Sequence, residues 1–160
     1  ITLNARKKHR AGSDFVVMGA MLLLAGLALE GLVRASPSWP FRVGAGLAVL
    51  AGFLLIWVNL AVGIFGNEEN PANLMFLGVI AVAVVGSLLA RGRAEPMAAA
   101  MATAAASQVV VSAIAYLAGL TAPGTRGIFE VVVSTALFGG LWLISAALFH
   151  LAASSAARLT

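Results

Sequence analysis

The chain of 160 residues contains no cysteine. That absence excludes thiol–disulfide exchange, thiolate metal sites and cysteine nucleophiles together, while leaving the compartment open. Charge is almost as scarce. Asp, Glu, Lys and Arg make up 10% of the residues, against roughly 25% in a soluble domain. A water-soluble fold of this size needs polar groups to cover its surface, and this chain lacks them. There are two histidines, His9 and His150. A haem held between membrane helices needs two at membrane depth, and His9 lies in a basic tail. No HExxH, Gly-rich phosphate loop or nucleophile elbow occurs. Ser145 and His150 lie five apart on one helix without an orienting acid nearby in sequence. We expect no enzyme activity, no cofactor and no metal site.

Apolar side chains fill the space that charge leaves. They make up 61% of the sequence, and the mean hydropathy is +1.01. Lipid is therefore the expected solvent for most of the chain. The net charge of +4 reads as a topology signal. The basic residues sit in the N-terminal tail and in short connections rather than in a stripe, so no nucleic-acid partner is expected. Ala, Gly, Val, Leu and Arg dominate while Lys is scarce. That bias suggests a GC-rich bacterial genome, and hence a bacterial inner membrane.

A spanning helix needs about 20 apolar residues. Five segments qualify: 14–33, 43–66, 72–90, 96–120 and 127–152. The connections "RASPSWPFR", "NEENP", "RGRAE" and "TAPGTR" are short and carry helix breakers. Such connections make each helix run antiparallel to the one before it. The expected fold class is all-α, an integral membrane bundle of about five antiparallel transmembrane helices. Its organisation is a basic tail over 1–13, a single bundle over 14–153 and a short tail over 154–160. The chain opens "ITLNARKKHR" without Met, as a trimmed or processed end would. The apolar run that follows is too long for a cleaved signal. Lys and Arg divide evenly between the two sides, five and five, so orientation rests on the dense N-terminal cluster, which favours a cytoplasmic N-terminus.

One polar island, "GNEENPAN" at 66–73, interrupts the apolar sequence between the second and third segments. The expected reading is a headgroup-level hairpin. Gly66 would cap the second helix, Asn70 would open the third, and Pro71 would take the first helical position. The oxygens of Asn67, Glu68, Glu69 and Asn70 also suit a hard cation or a basic patch on a partner, although the spacing matches no loop that fixes six ligands.

Ionisable groups within spans are functional candidates by default. Glu30 and Arg34 stand at i,i+4, and antiparallel counting puts His150 at their depth. That makes Glu30, Arg34 and His150 the best candidate titratable group. Glu130 is expected in the first turn of the fifth helix, where a carboxylate suits the dipole. A second, uncharged grouping is expected of Asn59, Gln108, Ser112, Ser134 and Thr135: counting puts Asn59, Ser112, Ser134 and Thr135 about 10–12 Å below the N-terminal-side surface, and Gln108 joins them through the fourth-helix stripe. Small residues repeated every fourth position mark packing faces: Gly44, Ala48 and Gly52, and the stripe Ala100, Ala104, Gln108, Ser112 and Tyr116. Trp39 and Phe41 are expected in a headgroup-level loop, with Trp57 and Trp142 deeper.

The expected role is non-catalytic: an accessory or scaffold subunit packing through its small-residue faces and acidic hairpin against a larger membrane complex. The alternative is a homo-oligomeric channel or carrier that uses Asn59, Gln108, Ser112 and Ser134. The partners implied are the lipid bilayer and other membrane subunits or further copies of the chain.

Overall fold

In hydrocarbon every backbone N–H and C=O must be satisfied within the chain, which leaves helices or closed barrels as spanning structures. The computed structural model describes residues 2–66 and 69–158, with side chains from residue 14 onward, and it is all-helical. The helices are α1 (Thr2–Ala35), α2 (Trp39–Ala61), α3 (Met75–Ala90), α4 (Ala94–Leu117), α5 (Thr125–Ser134) and α6 (Gly140–Ala157). A 3₁₀ turn, Pro71–Leu74, leads into α3, and a π turn, Thr135–Gly139, joins α5 to α6 as one continuous rod. Five stretches are long and apolar enough to cross a membrane: Asp14–Ala35, Trp39–Ala61, Pro71–Ala90, Ala94–Leu117 and Thr125–Ala157. This is the pattern of a multi-pass membrane protein.

The helix ends differ from the hydropathy reading in instructive ways. α1 is helical from Thr2, so the basic segment extends the first rod instead of forming a separate tail. α2 begins at Trp39 because Pro40 falls in its first turn, where a missing N–H leaves no bond broken. It ends at Ala61, short of the expected Gly66, with Val62 as its cap and Gly63 at φ +73° immediately after. Phe41 therefore does not lie in a headgroup-level loop. It is buried, and its ring meets Phe149 edge-on with centroids 4.9 Å apart.

Side by side, the rods run α1, α2, α6, α4, α3. The last helix in sequence is wedged between the second and the fourth, and α2 meets the following helix α3 at only a few residues. Small residues explain the wedge. A Cβ built on Gly44 would stand 3.2 Å from the Leu148 Cβ and 3.3 Å from the Ser145 carbonyl oxygen, so a larger residue would press α6 outward by a few tenths of an ångström. The Ser145 hydroxyl uses that proximity to donate to the Gly44 carbonyl at 2.7 Å, fully buried. Ala48 is buried on the same face, and Gly52 lies across from the Trp142 indole. On the far side, Gly86 of α3 meets Ala100 of α4, where an added Cβ would come within 2.6 Å.

The hydroxyl tie gives a direct test of this wedge. Interhelical hydrogen bonds in membranes average about 0.6 kcal/mol, with a maximum of about 1.7. Ser145→Ala leaves the helix intact and is expected to destabilise the folded protein by about 0.5–1.5 kcal/mol, measured by thermal unfolding in mild detergent. An unchanged midpoint would contradict the close α2–α6 crossing.

Candidate functional site

Helix register brings the uncharged polar residues to one depth. In α2, Gly52 stands across from Trp142, so Asn59, seven residues on, lies level with Thr135, seven residues back. In α4, Gln108 stands thirteen residues before residue 121, the midpoint of the 118–124 connection, and Ser134 stands thirteen after it. Ser112 is one turn nearer the surface. The four elements that carry these groups pack through α6, the π turn and α4.

The chemistry of this layer lies in what its polar atoms lack. Gln108 is 0% exposed, and neither its amide nitrogen nor its amide oxygen has a hydrogen-bond partner among the described residues. The Ser112 hydroxyl, the Thr135 hydroxyl and the Trp142 indole N–H are likewise buried and unpartnered. Asn59 donates to the Leu55 carbonyl at 2.9 Å, but its own oxygen is unpaired. Ser134 is the satisfied member, donating to the Val131 carbonyl at 3.2 Å. A glutamine amide offers two donors and two acceptor lone pairs, and each buried group left unpaired costs about 1–3 kcal/mol. The π turn lies at the same depth, and such turns recur where side chains are re-aimed for function. The four leading residues of the α4 stripe, Ala100, Ala104, Gln108 and Ser112, all face inward, while Tyr116 is exposed. The layer thus gathers unpartnered polar atoms in the interior of the bundle.

The polar island follows the sequence expectation at Asn70 and Pro71 and departs from it at Gly66. Asn70 opens the 3₁₀ turn, its side-chain oxygen accepting from the Ala72 N–H at 3.0 Å with Pro71 at the first position. Its amide also donates to the Leu120 carbonyl at 2.6 Å, tying this loop to the α4–α5 connection. Gly66 has φ +71° within the loop and does not cap a helix. Asn67 and Glu68 lie outside the described residues, and Glu69 is exposed. The residue that organises the loop is Asn73, which we did not single out from sequence. It is buried, and its side-chain oxygen accepts from both the Ile64 and the Phe65 N–H at 3.0 Å. This clamp seats Phe65 against Phe76, ring centroids 5.2 Å apart. The signal was present in the spacing of Asn70 and Asn73, an amide at each end of one turn.

The titratable trio is not assembled. Arg34 donates to Glu30 at 2.6 Å, one turn apart on an exposed face of α1. His150 sits on an exposed face of α6, and no hydrogen bond or ion pair joins it to the other two among the described residues. The reason is packing: α1 lies against α2, and α6 faces α2 and α4. Glu130 falls in the second turn of α5 rather than the first. It pairs with Arg126 at 3.4 Å and accepts from the Ala122 N–H at 3.3 Å, which ties down the α4–α5 connection.

Comparison with protein-family models, with characterised proteins and with solved structures finds no match to this chain. The functional reading therefore rests on the molecule's own geometry.

Proposed function

We propose that this chain is a non-catalytic subunit that packs beside another membrane protein through the outward face of α4. The observation that carries this reading is the composition of that face. In its N-terminal half Ala99, Ala102, Thr103 and Ala106 are all exposed, whereas the C-terminal half exposes Val109, Val110, Ile114 and Leu117. Its hydroxyls are already satisfied within their own helix, Thr103 donating to the Ala99 carbonyl at 2.8 Å and Ser107 to the Thr103 carbonyl at 2.9 Å. The outward faces of α3 and α6 carry bulkier chains, such as Leu77, Leu88 and Leu89, and Leu143, Ile144 and Leu151. Smooth faces of Ala, Ser and Thr let helix backbones approach closely in lipid, whereas branched chains suit contact with acyl tails. The Gly44, Ala48 and Gly52 seam serves α6 within the fold, which leaves α4 as the face for a partner.

The test is a bulky substitution on that face. The protein extracted from its own membrane in mild detergent is expected to co-purify in fixed ratio with one larger membrane protein. Ala106→Phe should lower that recovery at least ten-fold while leaving the thermal midpoint of the isolated chain unchanged. A chain that runs alone both with and without the substitution would overturn the proposal.

The unpartnered atoms of Gln108, Ser112 and Thr135 favour a second reading, in which copies of the chain assemble into a channel or carrier for a small polar solute. That reading expects flux in liposomes containing only this protein, lowered by Gln108→Leu. Absence of any flux would sink it.

A further inference from the structure

A cleft of about 630 Å³ opens between α1 and the rest of the bundle, within the ~300–1,000 Å³ range of small-molecule sites. Met21, Ala28 and Leu32 of α1, Gly52 of α2, and Ile80 and Ala83 of α3 line it, and Ser87 supplies the one hydroxyl group in its lining. From Met21 to Gly31 it runs along α1 for about 15 Å at 1.5 Å per residue, half of the ~30 Å hydrocarbon core. Its length and lining match one acyl chain in one leaflet.

What stands at its end decides the kind of lipid. The C-terminal end of α1 abuts the α3–α4 turn, where a Cβ built on Gly92 would lie 2.8 Å from the Ala35 Cβ. Arg34 immediately precedes Ala35, and Arg91 and Arg93 flank Gly92. The first turn of α2 adds Arg42, whose Nε donates to the Ser36 carbonyl at 3.1 Å. Two acids lie nearby in sequence: Glu30 is engaged by Arg34, and Glu95 makes no ion pair among the described residues. Arg91 and Arg93 also have no carboxylate partner among the described residues, and both are exposed. Arg91 further holds a left-handed backbone, φ 50° and ψ 40°, a conformation glycine adopts freely and other residues resist. A position shaped for glycine is here occupied by a guanidinium.

We infer that this end of the molecule binds an anionic phospholipid, with one acyl chain in the cleft beside α1 and the phosphate against Arg91 and Arg93. A guanidinium meets phosphate through two parallel hydrogen bonds, and basic clusters between transmembrane helices recruit anionic headgroups. The cleft supplies the chain's contact and the arginines supply the choice of headgroup. The inference is independent of the α4 face, which lies elsewhere on the bundle.

The test uses the full-length protein, delipidated in a neutral detergent and titrated by native mass spectrometry. Phosphatidylglycerol and phosphatidylcholine with identical chains are the two lipid probes, and inorganic phosphate is the headgroup alone. Wild type is expected to prefer phosphatidylglycerol by about thirty-fold, from roughly five-fold per arginine. The double substitution Arg91→Gln with Arg93→Gln should erase that preference, weakening phosphatidylglycerol far more than phosphatidylcholine, whose choline cation already offsets its phosphate charge. Gly31→Phe should weaken both lipids, because Gly31 lines the cleft and no atom lies within 4 Å of a Cβ added there. Equal affinity of wild type for the two lipids, or a preference that survives the double substitution, overturns the inference. So does phosphatidylglycerol binding that Gly31→Phe leaves intact, or that inorganic phosphate matches.

Discussion

Replacing Gln108 by Met is expected to stabilise the isolated protein by about 1–3 kcal/mol, read as a rise in its unfolding midpoint in mild detergent. The direction is unusual for a substitution in a core, and it follows from the hydrogen-bond inventory. Gln108 is fully buried, and its amide is matched by no described group of its own chain. Folding therefore strips the amide of its polar contacts and returns nothing. Methionine keeps the length, the flexibility and the helix preference while removing the unmatched polar atoms. Ser112→Ala, one turn away, should act in the same direction by a smaller amount, since a hydroxyl carries fewer groups to satisfy. A stabilised Gln108→Met protein that has lost partner binding or flux would identify a residue kept for function at the expense of stability. A destabilised one would show that the amide is engaged within the fold.

Asn73→Leu should have the largest effect of any single substitution considered, and in the opposite direction. The asparagine oxygen accepts two backbone N–H groups, those of Ile64 and Phe65, in a loop with no helical ladder to satisfy them. Leucine fills a similar volume but leaves both donors orphaned. At about 1–3 kcal/mol for each unsatisfied buried group, the expected loss is about 2–6 kcal/mol. Phe65 is itself 0% exposed against Phe76, so release of the loop would also unseat a core ring. Asn73→Asp retains an acceptor oxygen at the same place and should recover most of the loss. Equal destabilisation by the Leu and Asp substitutions, measured by thermal unfolding, would show that the clamp is not the source.

Hydropathy made the five crossings legible because in lipid the backbone has few choices once a run is long enough. The common depth of Asn59, Ser134 and Thr135 was legible for the same reason, since short connections make residue counting a measure of depth; Gln108 was marked by the fourth-helix stripe instead. Lateral order was not. The Gly44, Ala48 and Gly52 stripe says that some helix comes close, and it does not say which one; α6 was as compatible as α3. That ambiguity is why depth alone groups Glu30 with His150, although α2 stands between the helices that carry them. Phe41 was misplaced because Pro40 reads as a breaker, although a proline in a first helical turn lets the helix continue. The role of Asn73 was hidden by the expected helix start at Ala72, which made it an ordinary helical residue. The cleft beside α1 depends on how that rod leans, which no periodicity records.

The wedge position of the final rod carries a consequence for biogenesis. Chains enter the membrane from the N-terminus, so α2 and α4 are in the bilayer before α6 exists. Until α6 is made, Gly44 has no serine to meet it and the α2–α4 slot stands open. A nascent chain halted at the α4–α5 connection would hold four inserted helices and an open slot, a form suited to recognition by membrane quality control. Insertion of α6 closes that slot and joins α2 to α4 through one shared rod.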